Sequence, residues 1–142
     1  MSKVLVITTS LRAKSNSDIL AARLIDGAKD AGHEVEVISL KGKTIRYCIG
    51  CLACQKTQKC IQKDDAIEIS EKVKNADTLA VAADDQASTP KKAVNGLQGW
   101  IDCFEKAELT GSFFCGGLND SGEAADRSEV LDEAYAFGKT LA

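Results

Sequence analysis

This chain of 142 residues has one proline, one histidine and an aromatic share of only 5%, and each shortage removes a class of function. The lone histidine, His33, has no candidate partner nearby in sequence and reads as a surface residue rather than a catalytic one. A nucleophile triad is not visible, and no side chain is assigned as an acid or base. No run is long and apolar enough to span a bilayer, and the opening Met1-Ser2-Lys3-Val4-Leu5-Val6-Ile7 is too short for a signal peptide. The net charge of −3 lacks the positive excess that favours nucleic acid or an anionic membrane as partner. The expected setting is the cytoplasm, where the six cysteines are thiols, metal ligands or redox groups rather than structural disulfides.

What is present is enough apolar material, 44% of residues, for one compact domain over residues 1–142. Val4-Leu5-Val6-Ile7 is a continuous apolar run, the pattern of a strand buried on both faces of a parallel sheet. A helical run follows, with Ile19, Leu20, Leu24, Ile25 and Ala28 on one side, Ser17 as the expected N-cap and Gly32 as the stop. Residues 33–38 alternate as a sheet-edge strand does, which completes a right-handed βαβ unit. Further on, residues 66–76 predict a helix, 78–83 a third strand, 109–115 a fourth strand and 130–141 a closing helix. Between them, residues 93–108 predict a helix with Val94, Leu97, Trp100, Ile101 and Phe104 facing inward. Strands alternating with helices predict a three-layer, doubly wound α/β fold.

The loop Thr9-Ser10-Leu11-Arg12-Ala13-Lys14-Ser15-Asn16-Ser17 joins a buried strand to a helix start. In a doubly wound sheet that is the carboxyl edge, where ligands bind. Unpaired N–H groups and the helix dipole favour an anion there, and the hydroxyls, the Asn16 amide, Arg12 and Lys14 add donors. The loop contains no glycine, so it matches neither the dinucleotide fingerprint nor the ATP-type P-loop. What remains is a phosphate wrapped by side-chain hydroxyls, or an ordinary polar loop with a capped helix.

Residues 41–65 show little periodicity and carry Cys48, Cys51, Cys54 and Cys60 in the spacing C-x2-C-x2-C-x5-C. Four thiolates so close in sequence can converge on one soft centre, a [4Fe–4S] cluster or zinc, or remain free or paired thiols. Lys41, Lys43, Arg46, Lys56, Lys59 and Lys63 would offset the thiolate charge, and Gly50 would let backbone approach a cluster closely. Cys103 and Cys115 read as small buried residues. Asp64 and Asp65 read as caps of the following helix, and Asp84 and Asp85 as a solvated turn.

Ser10-Leu11-Arg12 followed by Ser15-Asn16-Ser17 resembles the FMN-phosphate loop of the NADPH-dependent FMN reductase family. The resemblance implies a flavodoxin-like fold and flavin-phosphate contacts from Ser10, Arg12, Asn16 and Ser17, to which the loop reading adds the Ser15 hydroxyl. The cysteine spacing, continued by Lys63-Asp64-Asp65, resembles the compact cluster motif of the iron–sulfur flavoproteins, a branch of the same superfamily. The likeness extends to residues 97–142, including Gly116-Gly117-Leu118-Asn119-Asp120. It breaks after the third strand, where Ala82-Ala83 runs into Asp84-Asp85-Gln86 in place of the family's ring-binding loop, helix and strand. At least one helix–strand unit, on the order of 30 residues or more, would be missing: either the sequence omits a segment, or the chain is a shortened relative with four strands where the family has five. Ring contacts would then come from residues 84–88, residues 116–120, the cysteine loop or a second subunit, since dimers commonly complete the pocket in this family.

The resemblance implies an FMN-dependent oxidoreductase that moves electrons between NAD(P)H or a ferredoxin-like donor and a small-molecule or protein acceptor, as a homo-dimer or homo-tetramer. A rival expectation is a non-enzymatic electron carrier, or a thiol or zinc module that keeps the fold without flavin.

Overall fold

The computed structural model describes residues 1–82 and 90–141. Three parallel strands, β1 (Lys3–Thr8), β2 (Glu34–Ser39) and β3 (Thr78–Ala82), form a sheet in the order β2-β1-β3. Lys3 to Thr8 pair in register with Glu34 to Ser39 on one side, and Val4 to Thr8 with Thr78 to Ala82 on the other. The central strand is the apolar run expected to be buried on both faces, and Val4, Leu5 and Val6 are fully enclosed.

Alternation along β1 divides the core in two. Val4 and Val6 pack with Ala21 and Ala28 of helix α1 (Asn16–Asp30), with Phe137 of the last helix and with Leu141 beyond its end. Leu5 and Ile7 pack on the opposite face with Ile38, Ile69, Val73 and Leu79. Between β2 and β3 lie a short helix α2 (Ala53–Thr57) and helix α3 (Ala66–Lys74). Helix α4 (Pro90–Ile101), a 3-10 turn (Glu123–Asp126) and helix α5 (Ser128–Lys139) follow. Helices thus cover both faces of a parallel sheet, as the alternating pattern predicts.

Helix α1 stops where expected, with Gly32 at φ +87°, but its N-cap is Ser15 and not Ser17. Other expectations are overturned as well. Residues 109–115 form no strand, because an extended run becomes one only when a neighbour completes its hydrogen bonds. Phe113 instead stacks on Phe137 of α5, with ring centroids 6.2 Å apart. Helix α4 ends at Ile101, and its inward-facing stripe is not inward: Leu97, Trp100 and Phe104 are exposed, Trp100 by 53%. Amphipathic spacing produces burial only where a sheet face or another helix receives it, and here Trp100 and Phe104 pair with each other, edge to face at 5.0 Å. Cys103 is accordingly exposed and Cys115 half-buried outside any strand, where burial pushes its thiol up from the ordinary range. Residues 83–89, which include Asp84, Asp85 and most of the expected ring-binding stretch, lie outside the described residues.

Candidate functional site

The loop after β1 sits where the sheet's winding reverses, with β2 on one side of β1 and β3 on the other. That crevice at the carboxyl ends of the strands is the ligand position of open α/β sheets. Thr9 fastens the loop to β3, its backbone N–H and its hydroxyl both donating to the Ala82 carbonyl at 3.0 and 3.2 Å.

Ser10, Ser15, Asn16 and Ser17 are all buried, Ser15 to 1% exposure. Burial of hydroxyls without strong partners is costly, so their contacts are informative. Ser15 Oγ accepts from the Asp18 N–H at 3.1 Å and lies 3.2 Å from Ser17 Oγ. Ser10 Oγ accepts from the Arg12 N–H at 3.3 Å, while the Arg12 side chain stands exposed on the loop crest. The first N–H groups of a helix have no intrahelical acceptor. Here Asp18 is capped by Ser15 Oγ and Ile19 bonds the Ser15 carbonyl. The N–H groups of Asn16 and Ser17, at the first two positions of α1, have no intrahelical acceptor.

Asn16 itself is differently employed from the other four candidates. Its Nδ2 donates to the Asp120 carbonyl at 2.9 Å, and its Oδ1 accepts from the Ala124 N–H at 3.0 Å. Ser121, which the sequence reading did not single out, donates from Oγ toward the carbonyls of Ala13 and Lys14, each at 2.8 Å. The turn carrying Asp120 and Ser121 is held by Glu123, whose carboxylate accepts from the N–H groups of Asn119 and Asp120 at 2.8 and 3.2 Å. Those two bonds hold the Glu123 carboxyl below the usual range, with further help from Arg127.

The second candidate region is a loop closed at its neck. Asp64 Oδ2 accepts from the Arg46 N–H at 2.8 Å, and Asp65 Oδ2 from the Thr44 N–H at 2.7 Å. The Asp65 N–H returns a bond to the Thr44 carbonyl at 3.0 Å, and Gln62 Nε2 donates to the Tyr47 carbonyl at 2.7 Å. Asp64 does meet the start of α3 through the Ala66 N–H, but Asp65 makes no side-chain cap. The expected caps therefore serve chiefly to join the two ends of the loop.

Within the loop Cys48, Cys51, Cys54 and Cys60 are exposed thiols that line one hollow of about 70 Å³, together with Ile49, Gly50, Leu52, Ile61 and Gln62. Gly50 takes φ +66°, a conformation in which a side chain is strained. The Gly50 N–H points to Cys48 Sγ and the Gln62 N–H to Cys60 Sγ, both at 3.4 Å. Among the described residues, no three His, Cys, Asp or Glu side chains are placed to hold a single metal ion. A four-iron cluster takes one thiolate per iron, which sets its ligands farther apart than those of one ion. Four thiols around one hollow, two of them accepting N–H bonds, are the donor set such a group needs. His33, expected at the surface, is half-buried, and its Nδ1 accepts from the Ser2 N–H at 3.4 Å. No helix among the described residues is long and apolar enough to cross a membrane.

Comparison with known proteins bears on both regions. An iron–sulfur flavoprotein of Methanocaldococcus jannaschii is 36% identical over 81 residues, 57% of this chain and 42% of that protein. Another, from Archaeoglobus fulgidus, is 40% identical over 68 residues, 48% of this chain and 33% of its own length. The matched stretch is thus less than half of these relatives. RosB, solved with bound 8-demethyl-8-formylriboflavin-5'-phosphate, is similar in fold, with a TM-score of 0.51 at 22% identity over 78% of this chain and 45% of that one. The fold is a flavodoxin-like α/β fold. The family of NADPH-dependent FMN reductases matches residues 2–84, a stretch that contains both the β1–α1 loop and the cysteine loop and ends where the sequence pattern breaks. On that match, which covers more than half of its length, the chain belongs to the NADPH-dependent FMN reductase family.

Proposed function

We propose that the chain is one FMN-dependent oxidoreductase domain that holds the flavin phosphate at the start of α1 and a [4Fe–4S] cluster in its cysteine loop. The observation that carries the reading is the pair of N–H groups on Asn16 and Ser17, left without intrahelical acceptors at a hydroxyl-lined helix start on the switch point of a parallel sheet. Family membership and iron–sulfur flavoprotein relatives support both assignments.

Ser10, Ser15 and Ser17 supply hydroxyls, Asn16 and Ser17 supply backbone donors, and Arg12 supplies the balancing charge. Cys48, Cys51, Cys54 and Cys60 would hold the cluster. FMN, when bound, couples two-electron hydride chemistry to single-electron carriers, and a cluster, when bound, exchanges electrons singly. The chain's own work is to anchor and orient these groups, so no side chain is required as acid or base. NAD(P)H or a ferredoxin-like protein is the donor class, and a small redox molecule or an electron-carrier protein the acceptor. A second copy of the chain supplies the remaining ring contacts in a homo-dimer or homo-tetramer, in the cytoplasm.

The test is the isolated protein itself, prepared without oxygen and titrated with FMN. Flavin absorption bands with a broad iron–sulfur shoulder, and four iron atoms per chain, are expected. A colourless protein that neither takes up FMN nor contains iron would overturn the proposal.

A further inference from the structure

We infer that Ser121 is a positioning residue for the anion loop, an inference that rests on the phosphate reading above. The loop crest contains Lys14, a non-glycine residue at φ +52°. A left-handed residue of this kind is unfavourable unless its surroundings hold it, and it turns successive N–H groups toward one side. Ser121 Oγ lies 2.8 Å from both the Ala13 and the Lys14 carbonyl oxygens.

No peptide bond among the described residues is cis. In a trans peptide the C=O and the following N–H point in opposite directions. Drawing the Ala13 and Lys14 carbonyls to Ser121 therefore aims the N–H groups of Lys14 and Ser15 away from it. It also removes two carbonyl dipoles that would otherwise be free to swing toward a bound anion. The hydroxyl is fixed in its turn, because Glu123 clamps the N–H groups of Asn119 and Asp120 and Asn16 bonds both the Asp120 carbonyl and the Ala124 N–H. Ser121 touches no ligand in this arrangement. It acts through the backbone of residues 13–15.

A residue that fixes the backbone of residues 13–15, which leads directly into the Asn16 and Ser17 donors, should matter for FMN and not for riboflavin, which has the same ring and no phosphate. The experiment is a fluorescence titration of wild type, Ser121→Ala and Ser121→Thr with both flavins. Ser121→Ala is expected to weaken FMN about tenfold, the effect of one hydrogen bond, with riboflavin affinity unchanged and Ser121→Thr restoring FMN. Unchanged FMN affinity in Ser121→Ala, or equal weakening of both flavins, would overturn the inference while leaving the phosphate reading intact. Wild type that binds FMN no tighter than riboflavin would overturn the phosphate reading and this inference with it.

Discussion

Gly27 of α1 and Gly138 of α5 lie against each other's helix backbones. A β-carbon on Gly27 would collide with the Tyr135 carbonyl, and one on Gly138 would collide with the Leu24 carbonyl. The two helices meet at main-chain distance, closed further by Tyr135, whose hydroxyl donates to Asp30 at 2.6 Å and whose ring receives Arg23 and Lys139 on its face. This contact holds the helix whose N-terminus is the proposed anion site.

Gly27→Ala is therefore expected to destabilise the fold by about 1–3 kcal/mol, since the obstacle is backbone and cannot rotate away. Urea denaturation measures it. Gly96→Ala is the control: nothing lies near a β-carbon there, and helix propensity predicts a neutral or slightly stabilising change. Equal effects at the two positions would show that α1 and α5 do not pack this way.

Arg12→Ala should weaken FMN about 10- to 100-fold, as loss of a charged hydrogen bond does, with a much smaller change for riboflavin. Equilibrium dialysis of each flavin checks this. A phosphate placed elsewhere would leave FMN affinity untouched.

Cys51→Ser should abolish the iron content while flavin uptake persists, because the hollow in the cysteine loop and the β1–α1 loop share no residue. Iron analysis and the visible spectrum of the same sample give both readouts. Full iron in the variant would remove Cys51 from the ligand set.

Acid should open the neck of the cysteine loop. The Asp65 carboxyl is held below its ordinary value of 3.8, chiefly by the Thr44 N–H, with burial opposing and the Lys43 ammonium adding to the lowering. A depressed carboxyl stabilises the closed form at pH above its unfolded value, and that stabilisation fades as pH falls through the lower, folded value. Amide exchange at Thr44 and Arg46 should therefore accelerate, relative to the intrinsic rate, below about pH 4, and Asp65→Asn should remove the pH dependence at Thr44.

Much of the fold was legible because β1, α1, α3, β3 and α5 each carry a periodic apolar signal that a single sheet satisfies. The place of Ser10, Ser15 and Ser17 in the loop that opens α1 was legible for a related reason: it lies between a continuous apolar strand and the first amphipathic helix. The segment 109–115 and the stripe of Leu97 and Trp100 misled because periodicity reports what a segment could bury, not whether a partner surface exists. Ser121, Asp64 and Asp65 left no periodic trace. Their contacts join residues distant in sequence, and a hydroxyl or carboxylate that binds backbone looks the same in sequence as one that faces water. Asn16 shows the limit from the other side, since its place in the loop was evident but its two bonds to residues 120 and 124 were not.

The neck formed by Thr44, Arg46, Asp64 and Asp65 makes the intervening segment a cassette. Because its two ends are tied to each other before they reach β2 and α3, a change in the length of the segment between residues 47 and 62 puts little tension on the sheet.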